Sequence, residues 1–189
     1  MTQNLFEIFK KLNKRDWILG ISSMLITACL GAYTNNQTLF QKYFKSYFVT
    51  TDNKTAWIMV STTIGGCIGG LYTGPIINKF GSKKSVKLFG AAFLGTSILV
   101  SSSFLIKNLY LTCLGGILFG FIRAIILTGV IQNINKYAGK DVKGIVVVLQ
   151  NTGYSFAIFC FTPLISWLLN SFSLFYSTMV LFLLAHSID

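Results

Sequence analysis

Among the 189 residues, Arg123 has the type and setting most suited to chemistry: it is one of only two arginines and lies near the middle of an otherwise uncharged apolar run, residues 109–131. A cation held at mid-membrane costs about 2.5 to 3.5 kcal/mol on insertion scales and marks an ion or solute pathway by default. The planar guanidinium fork suits carboxylates and phosphates. Arg123 follows Gly116 by seven residues and Gly120 by three, so the three share one helical stripe that faces other helices rather than lipid. Two readings stand: an anion-binding group lining a central cavity, or a structural arginine bonded to helix carbonyls.

Other polar groups interrupt apolar runs. Gln150, Asn151 and Tyr154 lie in residues 144–169, with Gln150 and Tyr154 four apart on a shared helix face. They can line a cavity or bond neighbouring helices. The run 17–40 ends in Tyr33, Thr34, Asn35, Asn36 and Gln37, either a solute-facing stretch or a wet helix end. Enzymatic catalysis is not expected. The acidic residues Glu7, Asp16, Asp52, Asp141 and Asp189 all lie outside the runs, so no intramembrane acid–base pair exists. Cys29, Cys67, Cys113 and Cys160 are scattered over different runs and the single histidine is His186, a distribution without the convergence a zinc site requires. No metal and no cofactor is expected.

The elements that must position these groups follow from composition. The chain is 53% hydrophobic and 11% charged, with a mean hydropathy of +0.64; soluble domains carry about 25% charged residues. The net charge of +11 falls in short clusters between apolar runs, the pattern of basic loops at a membrane rather than of a nucleic-acid-binding face. Six runs read as transmembrane helices of an all-α integral membrane bundle: residues 17–40, 56–78, 88–106, 109–131, 144–169 and 172–185, preceded by a basic N-terminus over 1–16. The sixth is short of the roughly 20 residues a span needs. Eleven basic residues flank the runs on one side and four, Lys42, Lys45, Lys54 and Lys107, on the other. The positive-inside rule puts the N-terminus in the cytoplasm. The first run is too long for a cleaved signal peptide. Gly65/Gly69, Gly66/Gly70, Gly70/Gly74 and Gly116/Gly120 are GxxxG pairs, expected to let helices approach closely in lipid.

Between the second and third runs the chain reads Gly74-Pro75-Ile76-Ile77-Asn78-Lys79-Phe80-Gly81-Ser82-Lys83-Lys84. Gly74 is expected to permit close helix contact and Gly81 the tight reversal, while the lysines anchor the loop at the cytoplasmic face. The segment resembles the G-x-L-x-D-R-x-G-R-K signature of the major facilitator superfamily, in that family's position after the second span. Asn78 stands where the family carries an aspartate, so the charge relay that steadies one conformation is weakened, charge-assisted hydrogen bonds being roughly twice as strong as neutral ones. Ala56-Trp57-Ile58, Lys136-Tyr137 before a basic loop closing on Gly144, and Gly153 ahead of Pro163-Leu164 resemble the N-terminal half of the monocarboxylate-transporter and oxalate/formate branch. The acidic-Gly-Trp opening of that branch is reduced to Asp16-Trp17, and its aromatic-Gly-Trp-Arg segment to Phe172-Ser173-Leu174-Phe175.

The resemblance implies one six-helix half of a secondary transporter for a small organic anion of monocarboxylate type, coupled to a proton or other ion, in the plasma membrane. An ungapped match puts the branch's substrate lysine at Asn35, which removes one positive charge. Such carriers rock two halves about a midplane site, so a second half or self-association is the expected partner, and the chain alone, with an open face bearing Arg123, Gln150 and Asn151, is expected not to transport. The other class of reading is a non-transporting assembly partner or a degenerate remnant.

Overall fold

The computed structural model describes residues 12–172, 176–178 and 180, and among these it contains helices and no strands. In chain order they are α1 (Lys14–Asn35), α2 (Gln37–Tyr47), α3 (Asp52–Phe80), α4 (Ser82–Leu105), α5 (Leu109–Tyr137), α6 (Lys143–Phe156), a π-helical segment (Ala157–Phe161) and α7 (Thr162–Ser171). Among the described residues four stretches are long and apolar enough to cross a membrane: α1, α4, α5, and Lys143–Ser171 taken together. Helix α3 has the same 29 residues as α5, about 44 Å at 1.5 Å per residue. Its many glycines, serines and threonines dilute the apolar character, which leaves it outside those four.

Two expected runs are divided. Residues 17–40 form no single helix, because the chain breaks at Asn36 (φ −107°, ψ 15°). The Asn36 amide donates to the Ala32 carbonyl at 2.8 Å, a side-chain bond that competes with the helix ladder. Residues 144–169 are helical but pass through the π turn at Ala157–Phe161, immediately before Pro163 at the start of α7. Proline has no N–H to give the preceding turn, and π turns relieve such interruptions. Helix α7 stops at Ser171, where Phe172 is extended (φ −132°, ψ 166°); the sixth run, 172–185, lies mostly outside the described residues, as does His186.

The helices pack as two groups. Helix α5 lies between α3 and α4, while α1 runs along α6 and the π segment; a smaller α1–α5 contact joins the groups. Where α3 crosses α5 the backbones touch. A Cβ on Gly65 would collide with the carbonyl oxygen of Ile117, and one on Gly120 with that of Thr62. On Gly69 it would lie 2.8 Å from the Phe121 Cα, and on Gly116 it would overlap the Ser61 hydroxyl. So Gly65/Gly69 and Gly116/Gly120 do serve as facing small-residue pairs. Gly70 and Gly74 do not: a Cβ on either meets nothing within 4 Å. The expected close contact at Gly74 is therefore absent from the described residues, because its helical phase turns it away from α5.

An aromatic core closes the end where α2 lies. Phe40, Phe44, Phe104 and Phe119 are almost fully buried. Phe44 stacks on Phe104 with ring centroids 5.5 Å apart, and Tyr33 meets Phe119 edge-on at 5.2 Å, within the favourable range for aromatic pairs.

Candidate functional site

Arg123 sits at the middle of α5, on the stripe whose Gly116 and Gly120 press against α3. It is half-buried. Its Nε is fully buried and has no hydrogen-bond partner. Leaving a buried charged donor unsatisfied costs more than the 1–3 kcal/mol typical of a neutral group. The carbonyl bonds of the structural reading are not made at Nε.

The other candidates separate into two places. Gln150 is 2% exposed; its Nε2 donates to the Thr27 hydroxyl of α1 at 3.1 Å, and its Oε1 is buried without a partner. Tyr154, one turn on, packs beside Gly31 of α1. Its carbonyl accepts from the Asn35 amide at 3.4 Å. Asn35, Gln150 and Tyr154 thus gather along the α1–α6 seam. Asn151 is exposed on another face of α6. The expected open face bearing Arg123, Gln150 and Asn151 together does not form, since successive helix positions diverge by about 100° and Gln150 is the one turned onto α1.

At the seam's far end Asn36 makes a second bond. The Thr162 hydroxyl donates to its Oδ1 at 2.5 Å. The break in the first run and the π turn in the fifth are therefore clipped to each other by side chains, and π turns recur at functional positions.

The loop motif is built as follows. Gly81 has φ 78° and ψ 151°, a region that favours glycine, and its N–H closes α3 on the Ile77 carbonyl at 2.8 Å. The next residue, Ser82, donates to Oδ1 of Asn133 at 2.7 Å, tying the start of α4 to the end of α5. Asn78 is exposed and lines a polar cavity of about 440 Å³ with Ser82, Gln132, Asn135 and Lys136. Lys79 lies over the Phe80 ring at 5.5 Å. Lys83 lines a second cavity, of about 290 Å³, with Arg15, Asn133 and Tyr137, and Lys84 is exposed.

One residue of this end escapes a reading of the runs alone. Asp16 is 5% exposed and accepts from the backbone N–H of Asn13 at 3.3 Å and of Gly139 at 3.2 Å. Its spacing from Asn13, N-x-x-D at a helix start, is the capping-box signal that identifies half of this role. The bond to Gly139 has no local signal.

The Major Facilitator Superfamily model matches residues 20–188. The chain belongs to this superfamily. It is also similar, at 27% identity over 164 residues, to the MFS-type transporter pynF of Aspergillus niger. The aligned region takes in 85% of this chain, which spans 37% of that relative's length.

Proposed function

We propose, with superfamily membership as the premise, that the chain is the N-terminal half of a secondary transporter that carries a small organic anion across a membrane. The family supports membrane transport and integral multi-pass placement. The observation that carries the anionic substrate is Arg123: a cation at mid-helix whose Nε is buried and unpaired. A carboxylate would satisfy the donor fork and offset the burial of the charge. Six spans, with 1–16 as a basic cytoplasmic tail, fit the basic-loop asymmetry. A monocarboxylate is the substrate we favour within the superfamily, coupled to a proton or another ion, in the plasma membrane.

Roles divide by location. Arg123 holds the solute's charge; Asn35 and Tyr154 on the α1–α6 seam offer neutral donors and acceptors toward it, and Asn151, on another face of α6, has no part in that contact. Gln150 joins α1 to α6 and sets the site's width. The loop of Gly74, Asn78, Lys79, Gly81, Lys83 and Lys84 supports switching between states, with Asn78 a weaker partner than a carboxylate. The site is completed by a second six-helix half or a second copy, since facilitator sites lie between two halves.

The test is uptake by the assembled carrier bearing this half. Arg123→Lys keeps the charge and loses the fork, so it impairs anion uptake less than Arg123→Gln, which reduces it about tenfold or more, the scale of a lost charged hydrogen bond. Normal uptake by both variants at equal expression overturns the anion reading. The 189-residue chain alone, reconstituted into liposomes, is expected to give no uptake above empty vesicles.

A further inference from the structure

At the end of the bundle away from the α3–α4 turn, two cavities share a wall and differ in character. One, of about 410 Å³, is polar and is bounded by Thr50, Lys54, Lys107 and Asn108. The other, of about 500 Å³, is an apolar groove between α3 and α5 along Trp57, Ile64, Cys113 and Ile117. Lys54, Leu109 and Tyr110 line both, so the two adjoin. From Trp57 to Ile64 the groove follows α3 for about 10 Å.

We propose that these cavities together hold one anionic phospholipid, its phosphate between Lys54 and Lys107 and one acyl chain in the α3–α5 groove. Charge complementarity picks the headgroup: two ammonium groups line the polar cavity, and among the described side chains no carboxylate does. Lys107 is held there by its backbone, at φ 52°, and by the Tyr47 ring, 5.4 Å from its Nζ. The adjoining groove picks a lipid over a free phosphate, which would leave the apolar surface uncovered. Trp57 and Tyr110, 61% and 86% exposed, stand at the mouth, as aromatic residues do at membrane interfaces. The site is independent of the transport reading and needs no second half.

Native mass spectrometry of the 189-residue chain in detergent tests the proposal, with phosphatidylglycerol and phosphatidylcholine of identical acyl chains as probes. Phosphatidylglycerol is expected to be retained preferentially, and each of Lys54→Gln and Lys107→Gln to reduce that preference about fivefold. Lys42→Gln/Lys45→Gln removes two charges, twice that of either cavity variant, from the same end but outside both cavities, and is expected to leave the preference intact. Equal loss in this control, or no loss in the cavity variants, overturns the proposal. A second measurement avoids lysine substitution. In the chain with Trp17→Phe and Trp167→Phe, phosphatidylglycerol brominated on its acyl chain should quench Trp57, and excess unbrominated phosphatidylglycerol, but not phosphatidylcholine, should reverse it. Quenching that both lipids reverse equally means a general lipid boundary and sinks the specific site.

Discussion

The α3–α5 crossing and the α1–α6 seam solve one problem in two ways. Helices in lipid gain no hydrophobic stabilisation from one another, so they associate through close packing or interhelical hydrogen bonds. At the crossing, glycines on both helices meet backbone: Gly65 and Gly69 against Ile117 and Phe121, Gly120 against Thr62. At the seam the backbones come close at Gly153, which faces the Met24 carbonyl. The remainder is side-chain bonding through Thr27–Gln150, Asn35–Tyr154 and Asn36–Thr162. The first contact has one fitting arrangement. The second combines the close approach at Gly153 with bonds that can be exchanged singly, and it contains the Asn36 break and the π turn. Rigidity and adjustability are thus allotted to different helix pairs, and the candidate solute contacts Asn35 and Tyr154 lie on the adjustable one.

The largest test of this contrast is Gly120→Val. Its side chain would need the space of the Thr62 carbonyl, and overpacking against immovable backbone is expected to cost about 3 kcal/mol or more; a reversible detergent titration followed by helical circular dichroism reads the loss. A smaller effect is expected at the seam, where Asn36→Ala removes the bonds to Ala32 and Thr162. Interhelical bonds in membranes average about 0.6 kcal/mol, so the same titration should show a drop of about 1 kcal/mol, and hydrogen exchange should rise at Ala157–Phe161 while α3 and α5 stay protected. Gln150→Leu is milder still. It gives up the Thr27 bond but also removes the orphaned Oε1, for a net change below about 1 kcal/mol. The sharpest comparison is the smallest: Gly69→Ala against Gly70→Ala. They are sequence neighbours, yet only Gly69 faces Phe121, so Gly70→Ala should leave stability unchanged or raise it by less than about 1 kcal/mol. Equal damage from both would mean that the crossing has been placed on the wrong face of α3.

How far the sequence carries this picture depends on whether a feature is local. The reversal at Gly81 is legible because one residue type suits its positive φ. The apolar runs are legible from their length, four of the helical stretches among the described residues being long and apolar enough to cross a membrane. The three GxxxG pairs of α3 look alike as text, whereas only Gly65/Gly69 has the helical phase that meets α5. Periodicity supplies a face and does not name the neighbour. Asn36 and Gln150 show the same limit: their types announce hydrogen bonding, but Thr162 and Thr27 lie more than a hundred residues away. Arg123 is legible as a mid-helix cation, and its unpaired Nε appears only in the folded chain.

The polar seam also sets a schedule for biosynthesis. The bonds Gly139–Asp16, Gln150–Thr27 and Thr162–Asn36 join positions 123, 123 and 126 residues apart. At about 5–20 residues per second, α1 waits roughly 6 to 25 seconds after its own synthesis before its partner helix exists. Through that interval Thr27, Asn35 and Asn36 have none of their α6 and α7 partners, while α4 and α5, adjacent in sequence, can pair almost at once. Helix α1, the first of the described helices to be made, is therefore among the last of them to be secured. A translocon or insertase that keeps α1 at its lateral gate until α6 emerges would shield those side chains for the full wait.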